Sequence, residues 1–156
     1  MFCNAPAFDQ DIGSWDTTNV AGMSHMFCKA LAYNQDIGSW DISRVKWTTY
    51  MLCGACKFNQ DIGFWECLKC YRHEFMFSGA SDFNQDTHKW NVSKVEYMNY
   101  MFAGARSFNQ NLSSWYIPHI KSITRMFPDG FPDMFRPPCS CNLEEKRSLR
   151  SEEQSE

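Results

Sequence analysis

Residues 26–50 read MFCKALAYNQDIGSWDISRVKWTTY, and residues 51–75 read MLCGACKFNQDIGFWECLKCYRHEF. Laid one over the other, they share the opening Met, the Asn-Gln-Asp-Ile-Gly run and the Trp five places after the Gln. The same columns continue in both directions. Trp15, Trp40, Trp65, Trp90 and Trp115 are spaced by 25 residues. So are Gln10, Gln35, Gln60, Gln85 and Gln110, and Phe8, Tyr33, Phe58, Phe83 and Phe108. Met1, Met26, Met51, Met76, Met101 and Met126 open the units, and Ala5, Ala30, Ala55, Ala80 and Ala105 follow four places later. The chain is therefore an internal repeat with units at about 1–25, 26–50, 51–75, 76–100 and 101–125. One such unit cannot bury its apolar face alone, so neighbours must stack and share a core.

A 25-residue period matches leucine-rich-type coils and is too short for a propeller blade or a two-helix repeat. From Val20, apolar residues fall at Val20, Met23, Phe27 and Ala30, steps of three and four that predict a helix over about Asn19 to Ala30. Thr18, Ser43 and Ser93 stand where N-caps belong, and Gly54, Gly79 and Gly104 near the helix end. Ile12 to Thr17 reads as a short strand. The fold class expected is α/β: a right-handed leucine-rich-like solenoid of about five 25-residue β/α coils over residues 1–127. A degenerate cap at 128–135 and a charged tail at 136–156 complete it.

The units FDQDIGSWDTTNVAGMSHMF, YNQDIGSWDISRVKWTTYML and FNQDTHKWNVSKVEYMNYMFAGARSFNQ resemble the BspA-type leucine-rich-like repeats of bacterial and protist surface proteins. The same unit is catalogued in mycoplasma surface lipoproteins. The resemblance implies a non-enzymatic surface module with a role in adhesion or protein binding. It carries no catalytic residues and names no ligand.

Composition narrows the function classes. The 156 residues carry a net charge of −3, which argues against a strongly basic nucleic-acid binder. No apolar run reaches the roughly 18–20 residues of a membrane span, and no signal peptide is visible at the N-terminus. Aromatic residues make up 16% of the chain, so large flat side chains must fill the core. The histidines, His25, His73, His88 and His119, occupy four different columns and are read as surface or tolerated substitutions. No nucleotide-binding loop or catalytic triad can be assembled, so neither enzyme activity nor a cofactor is expected.

The regular columns are consumed by structure. Asn34, Asn59, Asn84 and Asn109 read as a buried amide ladder with the glutamines beside it. Asp11, Asp36, Asp61 and Asp86 are expected to cap turn N–H groups, with a calcium ladder as the sharper and weaker reading. Cys53, Cys56, Cys67 and Cys70 have zinc-site spacing, but the register sets Cys53 in a column with Cys3 and Cys28, and Cys67 and Cys70 in apolar columns. Cys3, Cys28 and Cys53 are expected too far apart for disulfides. Cys139 and Cys141 fall in the tail.

What is left for binding is the variable positions. Arg44, Lys46, Trp47, Lys69, Arg72, Lys94 and Tyr97 lie in neighbouring columns of successive units and form a basic-aromatic stripe suited to a protein or glycan ligand. The chain opens in mid-phase without a polar cap, which suggests a longer parent array or an end coil covered by a partner, as in a scaffold subunit. The third unit is the most degenerate, and local opening is expected to begin near residues 66–75.

Overall fold

The structure is a computed structural model that describes residues 1–138; the segment 139–156, with Cys139, Cys141 and most of the charged tail, lies outside the described residues. Five 25-residue units stack in register, but not as β/α coils. Among the described residues there is no α-helix and no named strand, and the regular element is a single 3-10 turn at Asp133–Phe135. Parallel pairing occurs only at isolated positions, running Gly22–Trp47–Arg72–Tyr97–Ser122. These positions fall inside the segment predicted to be helix. The predicted strand at Ile12–Thr17 is a tight turn, closed by the Trp15 N–H on the Ile12 carbonyl at 3.1 Å.

Where the backbone N–H groups go explains why the helix fails. Met23, His25, Phe27 and Lys29 donate to the carbonyls of Trp47, Thr49, Met51 and Cys53 in the next unit, at 2.9, 3.0, 2.8 and 2.7 Å. The intervening Met26, Cys28 and Ala30 donate three residues back, to Met23, His25 and Phe27. An α-helix needs all of these donors for its own carbonyls; here alternate donors are spent on the neighbour. His25 and Lys29 also have φ of +58°, which no right-handed helix allows. The apolar spacing of three is real, but consecutive three-residue turns produce it as well as a helix does.

Thr18, Ser43 and Ser93 are correspondingly not N-caps. Their N–H groups donate to the side chains of Asp16, Asp41 and Asn91 at 3.0, 2.8 and 3.2 Å, closing Asx turns. The glycines of the Asp-Ile-Gly run are required by a close approach. A Cβ at Gly13 would lie 2.5 Å from the Asp36 carbonyl oxygen of the next unit.

The core is a set of ring columns. Trp40, Trp65, Trp90 and Trp115 are buried, with centroids 6.2 Å apart for Trp65–Trp90 and 6.4 Å for Trp90–Trp115. Each indole Nε1 donates into the preceding unit, to the carbonyls of Ile12, Ile37, Ile62 and Thr87 at 2.9–3.2 Å. Tyr33, Phe58, Phe83 and Phe108 stack at 6.0–6.1 Å. The asparagine ladder exists but runs along an exposed to half-buried edge, not in the core. The N–H of Asn59 donates to the Asn34 side chain at 2.9 Å, those of Asn84 and Asn109 repeat this bond one unit on, and Asp9 accepts from Asn34. Gln60, Gln85 and Gln110 reach the same asparagines. Beyond the fifth unit, Phe131 stacks on Phe108 at 5.8 Å and on Phe127 at 4.5 Å, so residues 128–135 lie over that end of the ring columns.

Candidate functional site

The bridge row sets the geometry of the stripe. Because Trp47, Arg72 and Tyr97 are paired in line, one variable residue from each of three units stands in a single file between Gly22 and Ser122. Trp47 is 38% exposed, and its indole N–H donates to the Tyr71 hydroxyl, with the rings edge-on at 5.9 Å. The Lys46 ammonium lies 5.8 Å from the Trp47 ring. The Arg72 guanidinium sits 4.6 Å from the Tyr97 ring, and Lys121 is 5.7 Å from the same ring. Distances of this order place a cation on the negative face of a ring.

Two of these cations also carry carboxylate partners. Arg72 pairs with Glu74 at 3.0 Å and Lys121 with Glu96 at 2.7 Å. The hydrogen bond to Glu96 pushes the Lys121 pKa up. Arg44, Lys69 and Lys94 form a separate exposed row with Asn19 and His119, three columns away. Arg44 there donates to Asn19 at 2.8 Å. The structure thus joins Lys46, Trp47, Arg72 and Tyr97 directly, and adds Tyr71, Glu74, Glu96 and Lys121, which the sequence reading did not include. All but Glu74 carried a signal: Tyr71, Glu96 and Lys121 share the column of Lys46, immediately before the bridge row.

The aspartates are turn caps. Asp11, Asp36 and Asp61 accept from the N–H groups of Gly13, Gly38 and Gly63 at 2.8–2.9 Å, and Asp86 from His88. Asn111 keeps the role at Ser113 with no charge. Hydrogen bonds hold the carboxyls of Asp16, Asp41 and Asp86 below their usual range. The Thr18 and Ser43 hydroxyls are the main cause at Asp16 and Asp41, and the His88 N–H at Asp86.

The cysteines separate into two groups. Cys3, Cys28 and Cys53 are all free, and the Cys28 thiol interacts with those of both neighbours in its column. Burial, then its two neighbours, pushes the Cys28 pKa to about 11. Cys56 is also free, and its thiol points to the Gly54 carbonyl at 3.4 Å. Cys67 and Cys70 are joined in a disulfide, buried beside His73. His73 is therefore no surface substitution: it is 1% exposed, with burial lowering its pKa to about 4. Among the described residues, the cluster that draws three His, Cys or acidic ligand atoms together is Cys67, Cys70 and His73, all within 4.8 Å of one another. It is neither the four-cysteine set nor the aspartate column.

A family model described as "Mycoplasma protein of unknown function, DUF285" matches residues 1–86 and again 54–134. The chain belongs to the DUF285 family. The two matches overlap over residues 54–86, in the third and fourth units. No curated protein and no solved structure matches this DUF285 chain. Among its described residues, no helix is long and apolar enough to cross a membrane.

Proposed function

We propose that this chain is a non-enzymatic binding module of a BspA-like surface protein, which engages acidic protein segments or acidic glycans through its basic-aromatic file. The observation that carries this reading is the in-line pairing of Trp47, Arg72 and Tyr97. It turns three variable positions into one continuous surface, flanked by Lys46 and Lys121. An aromatic file with cations over its rings offers stacking faces and positive charge together, on a chain whose net charge is negative. Cell-surface placement follows the family resemblance.

The test uses heparin and poly-glutamate as the acidic glycan and acidic peptide, titrated against the full chain at rising salt. Salt-sensitive binding is expected, lost in K46E/R72E/K121E and weakened in Trp47→Ala. Binding unchanged by the charge reversal, or absent for both probes, overturns the proposal.

A second reading has its own observation. Trp15 is 42% exposed while the other four repeat tryptophans are buried. It borders a cavity of about 310 Å³ with Met1, Val20, Met23 and Met26. That face suits a structural subunit docked through its first unit.

A further inference from the structure

The repeat supplies its own control for the third unit. The column of Cys67 elsewhere holds Thr17, Ile42, Val92 and Ile117. That of Cys70 holds Val20, Val45, Val95 and Ile120, and that of His73 holds Met23, Thr48, Met98 and Ile123. Cysteine and histidine enter these columns in one unit only, and in all three columns at once. The three side chains converge in the core, at 6%, 0% and 1% exposure. The two cysteines fit as small apolar fillers, but His73 does not, because its Nε2 is buried without a hydrogen-bond partner.

The other ring nitrogen explains the orientation. The Thr48 hydroxyl donates to the Arg72 carbonyl at 3.3 Å and lies 2.7 Å from His73 Nδ1. With the hydroxyl proton on the Arg72 carbonyl, the matching tautomer is Nδ1–H donating to the Thr48 oxygen, which leaves Nε2 a bare lone pair. This is the arrangement that fixes a metal-binding imidazole from behind. A further donor is close: the Val45 carbonyl oxygen lies 3.3 Å from Cys70 Sγ and 3.8 Å from Cys67 Sγ. With metal–sulfur bonds of about 2.3 Å and metal–oxygen bonds of about 2.1 Å, a tetrahedral site separates its sulfur and oxygen ligands by roughly 3.6 Å.

The geometry points to a buried metal site formed by the reduced third unit: the thiolates of Cys67 and Cys70, Nε2 of His73 and the Val45 carbonyl, holding a thiophilic divalent cation such as Zn²⁺. The disulfide is the oxidised form of the same site. A dithiol reductant delivers two electrons and two protons to the Cys67–Cys70 bond and leaves as its own disulfide. Zn²⁺ then displaces the two thiol protons to solvent. The product, two thiolates on a dication with neutral imidazole and carbonyl ligands, has no net charge, which is the condition for a buried ionic site.

The experiment compares the full wild-type chain with C67V/C70V/H73M, which installs the residues of the fourth unit, Val92, Val95 and Met98, and keeps the other six cysteines. Both are reduced with a phosphine, loaded with Zn²⁺ against a competing chelator, and analysed for bound metal. The wild type is expected to hold one zinc more per chain than the variant, and to hold that zinc only when reduced. Co²⁺ should give thiolate-to-metal charge-transfer and tetrahedral visible bands in the wild type alone. Thr48→Val, which removes the support behind the imidazole, should weaken zinc affinity by about 10–100-fold. Equal zinc in wild type and triple variant, or no difference between the oxidised and reduced wild type, overturns the site.

Discussion

Thr87 stands in a column whose other members are Ile12, Ile37, Ile62 and Leu112, and its hydroxyl is fully buried without a partner. Tyr33 is the same case in the ring column, where Phe58, Phe83 and Phe108 do without a hydroxyl and Tyr33 buries its own unpartnered. A buried unsatisfied hydroxyl costs about 1–3 kcal/mol. Thr87→Val and Tyr33→Phe are therefore expected to raise stability by about 1 kcal/mol or more each, read as a higher midpoint in urea with an unchanged slope. The turn-capping aspartates give the opposite kind of prediction. Asp16 and Asp41 have folded pKa values below the usual 3.8. A depressed carboxyl contributes stability above its unfolded pKa and loses it as pH falls through the folded value. The urea midpoint should thus decline below about pH 4. Asp41→Asn should flatten that decline without unfolding the chain, because Asn91 and Asn111 already cap equivalent turns without charge.

Within one unit, what could be read ahead was whatever side chains repeat. The tryptophan column, the ring column, the inter-unit asparagine bonds and the turn-capping aspartates all announce themselves at a spacing of 25. What could not be read was the backbone between them. A turn ladder and a helix share apolar steps of three, and the choice between them is made by where the N–H of Met23 or Phe27 finds its acceptor, in the next unit or in its own. Nor do residues such as Tyr50, Phe75 and Tyr100 signal the left-handed backbone they adopt, at φ of 55–58°. Their stacking on one another at 4.5–4.7 Å accompanies that strain. The candidate file was half legible: its variable columns stood out, but which of them lie in line depends on the bridge row. The third unit's cluster is masked in the sequence because Cys53 and Cys56 complete a zinc-like spacing with its two cysteines, while His73 has no other histidine in its column. One column offers a direct test of the turn geometry. Lys29 has φ of +58° where Gly54, Gly79 and Gly104 occupy the equivalent place. A left-handed non-glycine residue costs about 1–2 kcal/mol, so Lys29→Gly is expected to stabilise the chain and Gly79→Ala to destabilise it by about 1 kcal/mol. Were residues 19–30 and their equivalents helical, far-UV circular dichroism would show the helical double minimum expected here to be absent.

At the scale of the molecule, the two ends of the stack are not alike, and that asymmetry limits how copies can associate. At one end, Phe131 covers the ring column and the Leu112 N–H donates to the Phe135 carbonyl at 2.8 Å. At the other, Trp15 and Met1 are exposed beside an apolar cavity. A head-to-tail contact would need the Phe131 face to open, and an open-ended fibre would follow from it. A head-to-head contact needs nothing to move. It places one first unit against another about a two-fold axis, is closed by symmetry, and stops at two copies. The scaffold reading therefore predicts a concentration-dependent monomer–dimer equilibrium by sedimentation velocity, with no larger species. Trp15→Arg should shift it to monomer without lowering the urea midpoint, since this ring, unlike Trp40 or Trp65, is not enclosed between neighbouring units. A chain that stays monomeric at every concentration, or one that forms open ladders, would remove that reading and leave the basic-aromatic file as the surface to pursue.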